Sequence, residues 1–339
     1  MSTIYVTQNG AVVRKTGERL RVTYNETLLL DVPFIHVEQL VLLANASVTS
    51  SALRSLLEHH VDVAYCSSHG RFIGRIQPEF SKNSILRKSQ YRAAMDAQET
   101  LTLARGFVWG KMANMRTLLL RAARFDRDSS HHLPEEVSSR VDQIRQLLQR
   151  LRAVTSLESL RGYEGAATAI YFAAFPVLLK AEDFTFPGRV RRPPTDPINA
   201  LLSFGYTLLY NDCQAACNVV GFDPYAGYLH SDKYGKPSLA LDLMEEFRPV
   251  LVDSLVLSLI NKRMLTLRDF EVQMGQVYRL TEAGRKTFLN AYEEKKRQEI
   301  KHPVVGTHCT YWRALELQAR ILSKVLMKEL KSYTPFLTK

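Results

Sequence analysis

The chain has 339 residues, and at roughly 150 residues per domain that length suggests two domains, each large enough to bury a core. Hydrophobic residues are 46% and charged residues 23%, which excludes a disordered chain, and four cysteines are too few for a disulfide framework, so a reducing cytoplasmic setting is expected. Lys and Arg number 45 against 34 Asp and Glu, and the net charge of +11 favours a polyanionic partner without naming it.

The opening MSTIYVTQNG has no basic-then-apolar start, so no secretory signal is expected. Residues 4–6, 11–14, 20–24, 27–33 and 39–43 are short runs rich in β-branched or apolar residues, several separated by Asn9-Gly10, Gly17 and Asn25-Glu26, and they read as strands. Residues 48–60 change to helical spacing with Leu53, Leu56 and Leu57 on one side. Residues 61–66 and 71–76 return to strand. The expected layout is a β-rich domain over 1–86, nearly charge-balanced with 8 Lys and Arg against 7 Asp and Glu.

From about residue 84 the spacing becomes helical. Residues 90–124 place Leu, Ala and Met three and four apart without proline, and Val137, Val141, Ile144, Leu148 and Leu151 form a second apolar stripe opposite Arg140, Arg145 and Arg152. His131-His132 reads as part of a loop between those helices. The longest apolar stretch, 166–179, contains Pro176 and is too short to cross a bilayer, so no membrane association is expected. FPGRVRRPPTDP at 186–197 reads as an exposed basic loop. Cys213 and Cys217 share an apolar helix and read as buried small hydrophobes. Residues 270–280 read as a small hairpin turning at Gly275, Lys295-Lys296-Arg297 closes a helix, and 311–333 reads as the last long helix. Residues 87–339, with 37 Lys and Arg against 27 Asp and Glu, carry nearly all the excess charge. The expected class is α+β and multidomain: a small β-rich domain, then a larger all-α domain holding the chemistry.

Three segments stand out from that helical background. Glu164 precedes a run of small and apolar residues, and taken alone it reads most simply as an N-terminal helix carboxylate. His230 follows Tyr228-Leu229 in a turn-rich stretch. Asp242 and Glu245 are three apart and share a helix face. An imidazole with carboxylates is a hard-to-borderline donor set suited to Mg2+ or Mn2+. In a basic protein such a set fits metal-assisted phosphodiester chemistry, with Lys233, Lys236, Arg191 and Arg192 available for flanking phosphates.

GRFIGRI at 70–76, GYEGAATAIYF at 162–172, RRPPTDPINALLSFGYTLLY at 191–210 and GFDPYAGYLHSDKYGKPSLALDLMEEFRP at 221–249 resemble, in that order, the CRISPR-associated integrase that captures new spacers, the first-numbered of the universal CRISPR-associated proteins. The resemblance implies a prokaryotic cytoplasmic protein with an N-terminal β domain and a helical catalytic domain. It also implies a homodimer, two of which flank a dimer of the small second-numbered CRISPR-associated protein in a four-to-two complex. That complex would bind a double-stranded prespacer, whose 3′-hydroxyls attack phosphodiesters at the ends of a CRISPR repeat. By the same resemblance the metal ligands are Glu164, His230 and Glu245, with Asp242 a nearby acidic residue. Asn199 and Tyr210 would line the cleft, Lys236 would be a basic cleft residue, and Arg71 a basic residue near the β-domain boundary. Two other readings remain open from sequence: an endonuclease that uses water at the same site, and a non-catalytic DNA-binding scaffold.

Overall fold

The computed structural model describes residues 2–79, 81, 83–124, 134–190, 193–230 and 234–338. His131 and His132 lie outside the described residues. The chain divides into two compact units: residues 1–80 with 280–293, and residues 81–279 with 294–339.

The first unit contains β1 (Ser2–Val6), β2 (Val12–Thr16), β3 (Arg19–Tyr24), β4 (Thr27–Pro33), β5 (Val37–Leu42), β6 (Ser47–Val48), α1 (Ser50–Glu58), β7 (Asp62–Cys66) and β8 (Phe72–Ile76). They build two four-stranded sheets, ordered β4-β3-β2-β6 and β1-β5-β7-β8. The turn between β3 and β4 places Asn25 and Glu26 at φ of 44° and 66°, the left-handed pair that a two-residue hairpin requires. Thr49 caps α1 by accepting from the Ala52 amide, and the helix lays Ala52 and Leu56 into a core with Val13, Leu20, Val22, Leu40 and Val63. Segment 280–293 belongs to this unit through specific bonds: Arg285 donates to the Ser68 carbonyl (2.7 Å), and the Tyr5 hydroxyl donates to Glu293 Oε1 (3.0 Å).

The second unit is mostly helical. It contains α2 (Ser84–Met95), α3 (Ala97–Arg124), α4 (Glu135–Arg150), α5 (Leu157–Ala173), α6 (Pro197–Val220), α7 (Ser238–Phe247) and α8 (Ser254–Asn261). After these in the chain come the hairpin β9 (Phe270–Gln273) and β10 (Val277–Leu280), α9 (Glu282–Arg297), whose residues up to 293 belong to the first unit, then the short ribbon β11 (Glu299–Lys301) and β12 (His308–Thr310), and α10 (Tyr311–Leu326). The stretch read as one helix over 90–124 is two. Asp96 ends α2 and caps α3, its Oδ1 accepting from the Gln98 and Glu99 amides at 2.8 Å each. Gly275 turns the β9–β10 hairpin at φ 80°, as the sequence suggests, whereas the second ribbon adds strand to a domain expected to be wholly helical. The last helix stops at Leu326, short of residue 333. Lys328 adopts φ 65° and the amides of Glu329 and Leu330 fold back onto the Lys324 carbonyl. At the end of α9, Lys296 is not a solvated dipole charge but a buried partner of Asp212, at 3.2 Å.

The 28-residue α3 is the spine of this unit and packs against α4, α5 and α7. The stripe Val137, Val141, Ile144 and Leu148 of α4 is buried, and so are Cys213 and Cys217 on α6. A six-residue π turn, Arg248–Asp253, joins α7 to α8. No helix of the described residues is long and apolar enough to cross a membrane. Because Asp96 caps the N-terminus of the spine, Asp96→Ala is expected to lower the free energy of unfolding by about 1 kcal/mol, read by urea denaturation.

Candidate active site

Glu164 is presented by α5. Ser156 caps that helix through the Ser159 amide (3.2 Å), so Glu164 stands two turns inside rather than at the N-terminus, and the helix-dipole reading of it does not apply. Leu160, Ala167 and Tyr171, spaced four before and three and seven after Glu164 on the same face, are buried and anchor the helix in the core. Thr168 donates to Glu164 Oε1 (3.1 Å) and limits the rotation of its carboxylate.

His230 sits in the turn before α7 and is held by Asp242. The Asp242 carboxylate is fully buried, and three consecutive amides wrap around it: Tyr228 (2.6 Å) and Leu229 (2.9 Å) on Oδ2, His230 (3.0 Å) on Oδ1. The same Oδ1 lies 2.7 Å from His230 Nδ1. A carboxylate only accepts, so Nδ1 carries the hydrogen and the neutral ring keeps its lone pair on Nε2. Gly227 is required here, because a Cβ at that position would come within 2.7 Å of Ser238 and 2.9 Å of Asp242 Oδ2. Arg161, on α5, closes the turn from the other side by donating to the Leu229 carbonyl (2.8 Å).

The residue that joins these pieces is Lys111, on α3. Its ammonium is bonded to Glu164 Oε1 and lies 2.8 Å from Glu245 Oε2, with the lysine side chain 4% exposed. Glu245 Oε1 faces His230 Nε2 at 3.7 Å and Arg248 at 3.2 Å. Burial alone would raise the Glu245 carboxyl, but Arg248, Lys111 and, when it is protonated, His230 hold it down at about 2. The Arg248 guanidinium lies over the Tyr206 ring, 4.7 Å from its centroid. The Tyr206 hydroxyl in turn donates to Asp253 (2.6 Å), which also accepts from Tyr171 (2.9 Å).

Glu164, His230, Glu245 and Asp242 thus belong to one network, but the first three do not close around a common point. Among the described residues no three His, Cys, Asp or Glu side chains stand close enough together to hold an ion. The physical reason is the ammonium of Lys111, a cation already placed between the two glutamates. The donor set nevertheless suits a divalent ion. His230 Nε2 is a bare lone pair, and Glu245 Oε2, though buried, makes no well-directed hydrogen bond among the described residues.

The remaining expected residues are scattered. Asn199, read as lining a cleft, is fully buried. Its amide donates to Gly188 O (2.7 Å) and Asp196 Oδ2 (2.5 Å), and its oxygen accepts from Arg189 (2.6 Å) and the Val190 amide (3.0 Å), so it fastens the loop at 188–190 onto the start of α6 and has nothing left to offer DNA. Tyr210 and Lys236 are half-buried in the second unit. Arg71 is exposed on the first unit, beside the Ser67–Arg71 turn. Lys233, Arg191 and Arg192 lie outside the described residues. Sequence reasoning missed Lys111, whereas Arg248 pairs with Glu245 as its place three residues along the same segment allows. Lys111 had a signal, as the only charge in FVWGKMANM at 107–115, an otherwise buried helical stretch.

Residues 4–294 match the family model described as CRISPR associated protein Cas1. The chain is 39% identical over 344 residues to the CRISPR-associated endonuclease Cas1 2 of Rhodospirillum rubrum, a match covering 100% of this chain and 99% of that protein. Among solved structures, a casposase bound to integration product superposes with a TM-score of 0.85 at 24% identity, over 98% of this chain and 93% of that one. A Cas6-RT-Cas1–Cas2 complex superposes at 0.81 and 24% identity, over 100% of this chain and 36% of that one. These two are likenesses of fold.

Asp253 gives the network a measurable pH dependence. Burial raises its carboxyl from 3.8 to about 6, against the hydrogen bonds of Tyr206 and Tyr171 and the charges of Arg248 and Arg189. The folded state therefore holds a proton that the unfolded chain has released, and this contribution to stability is complete below 3.8 and declines as pH rises to about 6. Asp253→Asn is expected to flatten that decline in urea titrations across the interval, relative to the parent chain.

Proposed function

This chain belongs to the CRISPR-associated Cas1 family, and from that membership together with the geometry of the site we propose that it is a metal-dependent DNA integrase. It joins the 3′-hydroxyls of a double-stranded prespacer to phosphodiesters at the ends of a CRISPR repeat by direct transesterification. The observation that carries this reading is that Glu164 and Glu245 meet at the buried ammonium of Lys111 while the Asp242-oriented His230 faces Glu245 at 3.7 Å, in a chain with a net charge of +11. A casposase bound to integration product, similar in fold, supports strand transfer as the reaction class.

Glu164, His230 through Nε2, and Glu245 would hold the ion, Mg2+ or Mn2+. When bound, it would offset charge on the scissile phosphate and stabilise the oxygen that attacks or leaves. The rest is done by the chain itself. Asp242 fixes the His230 ring so that only its lone pair faces the site. Lys111 and Arg248 keep Glu245 ionised and gathered toward Glu164 before DNA arrives. Lys236 would meet a flanking phosphate, as would Lys233, Arg191 and Arg192. Exchange of one phosphodiester for another is nearly thermoneutral, so the site has to supply positioning more than driving force.

The fold likeness to a Cas6-RT-Cas1–Cas2 complex supports assembly with Cas2, for which a homodimer in a four-to-two complex is the arrangement proposed. The second reading, hydrolysis by the same residues with water as nucleophile, is favoured by the name of the Rhodospirillum rubrum relative, an endonuclease. A scaffold without catalysis is disfavoured, since an unreactive DNA-binding surface has no need to bury so many charges together.

Incubating the protein and divalent metal with supercoiled plasmid bearing a CRISPR repeat and a labelled short duplex separates these readings. Label joined to plasmid is the expected result, whereas nicking without label would mean hydrolysis alone. Glu164→Ala, His230→Ala and Glu245→Ala are expected to abolish joining while duplex binding persists, and unchanged joining would favour the scaffold. Asp242→Asn, which spares the ligands but loosens the histidine, is expected to cost about 10- to 100-fold in joining rate.

A further inference from the structure

Beyond α10 the chain does not trail into solvent. Residues 333–338 run back over the second unit, with Phe336 buried, and touch α3 and α7 one residue away from the active site. The Tyr333 ring packs on Phe107, with centroids 5.0 Å apart, over Gly106, where a Cβ would come within 2.9 Å of it. Pro335 sits over Gly110, where a Cβ would come within 2.8 Å of both Pro335 and Glu246. Phe336, 1% exposed, stacks on Phe247 at 4.8 Å. Gly106, Gly110 and Asn114 form one stripe along α3, spaced by four.

The polar contacts are equally specific. The Glu246 side chain, fully buried, accepts from the Tyr333 hydroxyl, from the Phe336 amide (2.5 Å) and from Gln318 (3.0 Å). Asn114 donates to the carbonyls of Glu246 and Phe336, at 2.8 Å each, and accepts from the Thr338 amide (2.9 Å). One asparagine therefore binds α3 to α7 and to the tail at once. The next residue after Gly110 is Lys111, and the residue before Glu246 is Glu245.

Resting on the assignment of the Glu164–His230–Glu245 cluster as the active site, we infer that residues 333–338 are a strap that sets the spacing of α3 and α7 and thereby places Glu245 against Lys111, with Asn114, Glu246 and Tyr333 as positioning residues. The strap fills the space that Gly106 and Gly110 leave open and satisfies buried polar groups of both helices. Without it, α7 keeps its remaining packing but loses the contacts that fix its depth against α3. A displacement of the order of 1 Å is enough to cost about 100-fold in rate when the moved group belongs to the reacting site. DNA affinity, which comes from phosphate contacts spread over the surface, is unaffected by so small a shift.

The test uses the plasmid-joining assay with the full chain, a chain ending at Ser332, and the synthetic peptide of residues 332–339. The shortened chain is expected to bind the labelled duplex within about twofold of the parent, to join it at least tenfold more slowly, and to regain activity when the peptide is added. A peptide carrying Phe336→Ala should not restore it. If the shortened chain fails to fold, Tyr333→Phe and Asn114→Ala in the full chain decide: a fall in kcat with KM for DNA unchanged supports the strap. Joining at the parent rate by the shortened chain or by both point variants overturns it, as does a loss of DNA binding in proportion to the loss of rate. Glu245→Ala is the control for the premise. If that variant joins DNA as the parent does, the active-site assignment fails and the strap's role falls with it; if it is inactive while the shortened chain is fully active, the strap alone is wrong.

Discussion

A single ammonium, that of Lys111, stands between two carboxylates contributed by two different helices. Each of these groups would be costly to bury alone. Together with Arg248 they form a set of two anions and two cations in which each charge offsets the desolvation of the others. Breaking such a set by removing one member is typically worth about 3–5 kcal/mol, because the group left behind stays buried and unpaired. The fold must therefore bring α3, α5 and α7 to one point, and the local sequence serves that end. Asp96 starts the spine, Gly110 lets Glu246 approach it, and Gly227 lets the histidine turn close on Asp242.

The four side chains differ in how firmly they are held. Lys111, Glu164 and Glu245 are carried by helices that are locked in the core by their buried neighbours. His230 comes from a turn, and turns are ordinarily the mobile parts of a fold. Asp242 removes that freedom by binding three backbone amides as well as the ring, so the least regular segment of the site becomes one of its most constrained. For a reaction with little thermodynamic drive, in which the arrangement of attacking oxygen, phosphorus and leaving oxygen is most of what catalysis can supply, such rigidity is the useful property.

What could be read from the sequence was local. Strand alternation located β1 to β5, β7 and β8 to within a few residues, and the apolar stripe of α4 and the turn at Gly275 were equally visible, because each follows from a period of two or 3.6 or from a residue with special φ freedom. The segments bearing Glu164, His230 and Glu245 stood out only because acids and an imidazole interrupt apolar runs. Interactions between distant segments were not legible. Nothing near residue 285 announces that it will pair with Ser68. Nothing in α10 shows that the chain will turn back at Lys328, because the reason lies in the pocket made by Gly106, Gly110 and Glu246. Asn199 shows the same limit from the other side: a polar residue beside a basic loop looked available for DNA, and its four hydrogen bonds turned out to be internal.

Glu245 and Glu246 make the point most sharply, since they are the same residue type at adjacent positions of one helix. An α-helix turns about 100° per residue, so the two carboxylates leave α7 in different directions and meet opposite surroundings. Glu245 meets Lys111, Arg248 and His230 and is held ionised, at about 2. Glu246 meets the tail, where burial pushes its carboxyl up to about 8 despite the hydrogen bonds from Tyr333, Phe336 and Gln318 that oppose the shift. One becomes an anion suited to gripping a cation and the other a buried hydrogen-bond hub. Sequence spacing shows that two acids share a helix; which of them can do chemistry is decided by the charges that the rest of the chain places opposite each.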